Sequence, residues 1–203
     1  MSNITLAFDT CLDKMYVSLA CDNEIIASKI VENHDEKYHS AFLISTIKEV
    51  LKSNNLTVKD INLIATNIGP GSFTGIRACT TVARVMAQQL NCKAIGISSL
   101  EILSQIKDDI DMVALDARKN KAYLYFDKEI KGAVDLEEVK ELATNKNVIT
   151  DNKLQTIIGG ESYQDTDARL GDILARLAIE KSKKSDCNWQ NLKPLYIQPP
   201  PMG

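Results

Sequence analysis

The chain has 203 residues, 44% of them hydrophobic and 25% charged, an ordinary globular composition with enough apolar material for one domain or two small lobes. Its net charge is −3 and its basic residues are scattered, apart from a short Lys181–Lys184 cluster, which argues against a protein that holds nucleic acid by itself. Five widely spaced cysteines without a C-x-x-C pair read as reduced thiols, neither a disulfide frame nor a zinc site; no apolar run approaches membrane-spanning length, and the cytoplasm is the expected location.

Three short strands are predicted first, Ile4–Phe8, Met15–Ala20 and Ile25–Val31, separated by turns bearing Asp or Asn and so forming an antiparallel meander. A polar connection, Glu32–Lys37, leads to a helix over Ser40–Lys52, where Leu43, Ile47, Val50 and Leu51 mark one face, and Asn54-Asn55 ends it. The branched run Ile61–Ala65 belongs to a fourth, buried strand. After a glycine-rich stretch comes a helix over Ile76–Leu90, then a strand at Lys93–Ile97 and a helix over Leu100–Ile106. The order is β-β-β-α-β-α-β-α.

The second half echoes the first. Asp9 and Asp116 stand 107 positions apart, and so do Ala7 and Ala114, Lys14 and Lys121, and Tyr16 and Tyr123. Each copy is an apolar strand ending in Asp, a turn, then a strand bearing Tyr, as duplicated lobes would be. Beyond Phe126 the chain offers a helix at Leu136–Ala143, strands near Val148 and Ile157-Ile158, a helix over Ala168–Lys181, and a tail. Residues 1–108 are therefore expected to form one lobe and 109–203 a reduced second one.

The glycine-rich stretch reads Ile68-Gly69-Pro70-Gly71-Ser72-Phe73-Thr74-Gly75-Ile76-Arg77, at a strand-to-helix junction. Gly69 and Gly71 admit backbone angles closed to other residues, Pro70 stiffens the turn, and Ser72 or Thr74 can cap the helix. Neither the P-loop nor the dinucleotide fingerprint fits the glycine spacing. Two readings stand: a structural turn, or an anion loop made by Gly69, Gly71, Ser72, Thr74 and Arg77.

The segment G-P-G-S-F-T-G-I-R closely resembles the signature of the TsaB (YeaZ) family. Leu6-Ala7-Phe8-Asp9-Thr10, Tyr38-His39-Ser40, Ile97-Ser98-Ser99-Leu100, Val113-Ala114-Leu115-Asp116-Ala117-Arg118 and Pro194-Leu195-Tyr196-Ile197 resemble further stretches of it. The resemblance is strongest over the first 125 or so residues and thin between Val134 and Lys193. The element order is that of the α/β actin-like ATPase fold (ASKHA, ribonuclease H-like), with two lobes and a reduced C-terminal lobe. The resemblance further implies a non-catalytic subunit that binds the TsaD ATPase and works with TsaE to place threonylcarbamoyl on adenosine 37 of tRNAs reading codons that begin with A. It also implies a homodimer when TsaD is absent, tRNA contact only through the complex, and no cofactor of its own, with ATP or ADP expected at most at the partner junction.

Other candidate sites have simpler readings. Asp9 and Asp116 occupy places where actin-like kinases hold magnesium, but turn capping is the simpler role, because the second lobe is short. His34 and His39 are five apart, not on one helix face, and no metal is expected. No nucleophile–base constellation is evident. The helix at Ile76–Leu90 is apolar nearly all round, and Phe42 and Ile44 lie outside the main stripe of the preceding helix. That pattern fits a deep core helix as well as an interface. The resemblance implies an interface, through His39, Phe42, Leu43, Ile47, Ile76, Thr80, Ala83 and Ala87. The rival function is a stand-alone actin-like ATPase or small-molecule kinase.

Overall fold

The computed structural model describes residues 2–32 and 39–198, with the backbone alone for His39 and Ser40. The chain divides into two compact units. The first takes the residues up to Ser99 together with Arg169–Leu195, and the second takes Leu100–Ala168 with 196–198.

The first unit is built on a five-stranded sheet of β1 (Ile4–Asp9), β2 (Met15–Cys21), β3 (Glu24–Val31), β4 (Ile61–Asn67) and β5 (Lys93–Ile97), in the order β3-β2-β1-β4-β5. β1 pairs antiparallel with β2 and parallel with β4, and β4 pairs parallel with β5. The central strand β1 is buried at every position, so its side chains divide between two covered faces. Leu6 and Phe8 of β1, Val17 and Leu19 of β2, and Ile64 of β4 share one core with helices α1 (His39–Ser53) and α2 (Phe73–Leu90). The opposite face carries small residues, Ala7, Ser18 and Ala20, and there helix α6 (Leu170–Ser182) packs.

The seating of α6 corrects the expected boundary at residues 108/109. A stripe of Leu170, Gly171, Leu174, Ala175 and Ala178 is buried, and its small members let the helix lie close on the small-residue face of the first sheet. Ser18 donates its hydroxyl hydrogen to Asp172 at 2.7 Å, and a Cβ placed on Gly171 would stand 2.6 Å from Ser18 Oγ and 3.0 Å from Tyr16 Cβ. Burying Leu170 and Leu174 contributes about 1.5–3 kcal/mol each.

The second unit repeats the topology in short form. Its strands are β6 (Met112–Arg118), β7 (Lys121–Phe126), β8 (Glu129–Asp135), β9 (Val148–Thr150) and β10 (Glu161–Ser162), in the order β10-β9-β6-β7-β8. Matched by β6 to β1, this is the order of the first sheet. Helices α4 (Leu136–Ala143) and α5 (Asn152–Ile158) cover a core of Met112, Ala114, Leu124, Val139, Val148 and Leu154. Two details differ from expectation. β8 is a strand that the polar sequence Glu-Ile-Lys-Gly hides, and Ile157-Ile158 ends a helix that Asp151 caps by accepting from the Leu154 N–H at 2.9 Å. A short helix α3 (Ser99–Leu103) opens the connection after β5.

Gly171→Ala is expected to destabilise the chain by about 1–3 kcal/mol through the contact with Ser18 and Tyr16. Urea denaturation of variant and parent checks this, and an unchanged midpoint would disprove the close seating of α6 on the first sheet.

Candidate functional site

The glycine loop is anchored from below by one side chain. Asn67, the last residue of β4 and fully buried, donates from Nδ2 to Asp9 Oδ2 at 2.9 Å. Its Oδ1 accepts from the Gly69 N–H at 2.8 Å and lies 3.0 Å from the Ser99 hydroxyl, which also reaches the Pro70 carbonyl at 2.7 Å. Asp9, 1% exposed, accepts from the Cys11 N–H at 2.6 Å through its other oxygen. Burial raises the pKa of its carboxyl, and the hydrogen bonds from Asn67 and Cys11 oppose that rise.

The loop is seated on the β1–β2 turn by backbone contact. The Ser72 N–H donates to the Cys11 carbonyl at 2.8 Å, and the Thr10 hydroxyl donates to the Gly75 carbonyl at 3.1 Å. A Cβ on Gly71 would fall on the Cys11 carbonyl, and one on Gly75 would fall on the Thr10 carbonyl. The glycines therefore admit one backbone against another. Gly69 adds a left-handed angle, φ 103°. Ser72 is the N-cap of α2, as expected, and accepts from the Gly75 N–H at 3.3 Å.

This seating bears on the anion-loop reading. The N–H groups of Gly69, Ser72, Gly75 and Ile76 all donate within the chain. Ser72, Thr74 and Arg77 face outward, so the exposed rim of the loop is side chain more than bare donor.

The residues expected at a partner interface are placed differently. Leu43, Ile47, Ile76, Thr80, Ala83 and Ala87 are all buried in the first unit's own core, none more than 3% exposed. Cys79, Ala83 and Ala87 recur every four residues and form the side of α2 buried within the first unit, so the small residues serve internal packing. Thr80 satisfies its hydroxyl on the Ile76 carbonyl at 2.8 Å. Phe42 is 60% exposed, and Ile44 and Val85, which the expected interface omitted, are 55% and 52% exposed. His39 begins α1, its side chain outside the described residues, as is the whole of His34.

Asp116, the counterpart of Asp9, caps its turn in the same manner, accepting from the Arg118 N–H at 3.0 Å, and pairs with Lys153 at 2.5 Å. The sequence reading missed Asn67 and Ser99 as anchors, although Asn67 directly precedes the loop and Ser99 lies in one of the family-like segments. It also missed that Cys11 and Cys79, distant in sequence, lie together beside Asp9.

A family profile described as "TsaD: tRNA N6-adenosine threonylcarbamoyltransferase" matches residues 23–163, more than half of the chain. The chain is 35% identical over 128 residues to the tRNA threonylcarbamoyladenosine biosynthesis protein TsaB of Buchnera aphidicola subsp. Schizaphis graminum, covering 61% of this chain and 60% of that one. It belongs to the TsaB (YeaZ) family. Escherichia coli TsaB is 30% identical over 126 residues, covering 58% of this chain and 52% of its own length. These matches thus span about half to three fifths of the curated relatives' length. YeaZ from Pseudomonas aeruginosa superposes with a TM-score of 0.75 at 19% identity, covering 96% of this chain and 99% of that one. The actin-like two-lobed fold of the TsaB family is therefore present throughout.

Two substitutions test the seat of the loop. Gly75→Ala is expected to cost about 3 kcal/mol or more, because the obstacle is backbone and cannot swing aside. Asn67→Ala strips partners from the buried Asp9 carboxylate and the Gly69 N–H and is expected to cost at least about 3 kcal/mol. Denaturant midpoints check both; losses under 1 kcal/mol would show that the loop is not held there.

Proposed function

We propose that this chain is a non-catalytic scaffold subunit for threonylcarbamoylation of adenosine 37 in tRNAs reading codons that begin with A. It acts by binding TsaD and, together with TsaE, stabilising the state competent for transfer. Its TsaB relatives are named for threonylcarbamoyladenosine biosynthesis, and the matched family profile is described as the transferase itself. The observation that carries the scaffold reading is exposed apolar surface on two helices whose other sides are already buried. Phe42 and Ile44 on α1 and Val85 on α2 stand more than half exposed, and Phe73 at the start of α2 is 37% exposed. Large side chains left in water on helices otherwise committed to a core suit a protein partner.

Support for a non-catalytic role comes from the loop. The N–H groups of Gly69, Ser72, Gly75 and Ile76 donate within the chain, and the loop lies on the β1–β2 turn, the place where an actin-like kinase would grip phosphate. ATP or ADP would then meet the chain only at the rim of Ser72, Thr74 and Arg77, at the junction with TsaD. In the absence of TsaD the same apolar helices serve a homodimer. tRNA is contacted through the complex, in keeping with the net charge of −3. No helix among the described residues is long and apolar enough to cross a membrane, and the cytoplasm is the proposed location.

The test is reconstitution of tRNA modification from TsaD, TsaE, threonylcarbamoyl-adenylate synthase and tRNA. Omitting the chain is expected to reduce modification at least about tenfold. Phe42→Glu with Ile44→Glu should weaken TsaD binding by about 1.4 kcal/mol or more, a tenfold loss, while leaving the melting temperature unchanged. A charge at Ala83 would not serve, because that side chain is in the core. Full modification without the chain, or magnesium-dependent ATP turnover by the chain alone, would overturn the scaffold role in favour of a stand-alone ATPase.

A further inference from the structure

Beneath the glycine loop, Asp9 at the end of β1, Cys11 on the turn and Cys79 on α2 bring one carboxylate oxygen and two sulfurs within 4.8 Å of one another. All three side chains are buried, at 1%, 2% and 0% exposed. We propose that Asp9, Cys11 and Cys79 form a binding site for a thiophilic divalent cation of the zinc class. The donor set selects the ion. Calcium and magnesium take oxygen ligands, whereas two thiolates with a carboxylate suit zinc.

Two further observations point the same way. Asp9 and Cys79 are already addressed by hydrogen-bond donors that stabilise their anionic forms, while the Cys11 thiol, its pKa raised by burial, donates to the Asn67 carbonyl at 3.5 Å and would exchange that contact for the ion. The Thr10 N–H points at Cys79 Sγ at 3.2 Å, the Cys11 N–H at Asp9 Oδ1, and the Asn67 amide at Asp9 Oδ2. Such contacts orient and support metal ligands from outside the coordination sphere. Secondly, none of the ion pairs among the described residues involves Asp9, and the nearest lysine in sequence, Lys14, pairs with Glu32 instead. A buried carboxylate held only by dipoles lacks the counter-charge that a bound cation supplies. The Thr10 hydroxyl, 3.3 Å from Cys79 Sγ, is a further oxygen donor at the cluster.

Binding is a balanced exchange. The ion takes two thiolates and the Asp9 carboxylate, and whatever protons these three groups carry pass to solvent. The bound ion ties the β1–β2 turn to α2 at the point where Gly71 and Gly75 close on it. Because the ligands are buried, the ion enters as the chain folds or when the turn lifts from the loop.

The experiment uses the full chain, stripped with a chelator and titrated with Co²⁺ and then Zn²⁺ alone. Thiolate-to-cobalt charge-transfer absorption is expected to saturate at about one ion per chain and to be bleached by zinc. Cys79→Ala and Cys11→Ala, each checked for an unchanged circular dichroism spectrum, should weaken binding at least about 100-fold, while Cys92→Ser should bind as the parent does. For a variant that fails to fold, zinc protection of Cys11 and Cys79 from alkylation in the parent, read by mass spectrometry, replaces it. Absence of the cobalt band, equal binding by Cys79→Ala, or unprotected thiols would overturn the proposal. None of these readouts involves TsaD, so their failure leaves the scaffold role standing.

Discussion

The hydrogen bond between Asn67 and Asp9 joins the ends of the two central parallel strands, and the glycine loop and the facing turn of the first unit are assembled around it. A carboxylate that is fully buried must be met by donors or be neutralised. Asn67 meets it, and with its other atom fixes the Gly69 N–H, which sets where the loop leaves the strand. Asp9 in turn fixes the Cys11 N–H, which sets where the facing turn presents its carbonyls. The loop and the turn then meet along Gly71 and Gly75. Replacing either polar partner therefore disturbs two backbone segments at once, whereas a surface change on the loop rim disturbs neither.

The duplicated architecture shows how one plan supports two different outcomes. In both units an Asp at or near the end of the central strand accepts from the N–H two residues on, and in both a Thr hydroxyl on the neighbouring parallel strand donates to the central strand, Thr66 to Phe8 and Thr150 to Ala114. In the first unit the Asp is buried and held by hydrogen bonds from Asn67 and the Cys11 N–H, with no lysine or arginine paired to it among the described residues. In the second it is partly exposed and paired with a lysine. The first unit has the long helices and the glycine loop; the second has strands of three and two residues in the corresponding places. Shared topology is thus compatible with one lobe carrying the site and the other carrying none of that kind.

Much of this was legible in the sequence, because it depends on local pattern. The Asn- and Asp-bounded apolar runs mark β1, β4 and β5, the serine after Gly71 marks the start of α2, and the spacing of Asp9 and Asp116 announces the repeat. What could not be read depends on which surfaces meet. A helix as apolar as α2 has the same sequence whether its small residues face its own sheet or another protein, so the pattern alone fits either, and Ala83 and Ala87, which the resemblance puts at an interface, lie in the core of the first unit. The helix α6 has a small-residue stripe, but nothing local says which sheet receives it. Ile157-Ile158 looked like a strand because branched residues favour strands, yet the Asp151 cap just upstream committed the segment to a helix. The neighbourhood of Cys11 and Cys79 follows only from the loop closing on the turn.

The return of α6 to the first sheet makes that unit discontinuous along the chain, with the second unit inserted between its two parts. During synthesis the strands and helices of the second unit therefore emerge before the first unit can be completed. Until residues 169–195 have emerged, the small-residue face of the first sheet is uncovered, and its closure must await contacts of long sequence separation, those of α6 with β1 and the hydrogen bond from Ser18 to Asp172. Contacts of such long separation slow folding and prolong the exposure of apolar surface. The nascent chain thus depends, for as long as translation of residues 100–195 takes, on whatever shields an unfinished sheet in the cell.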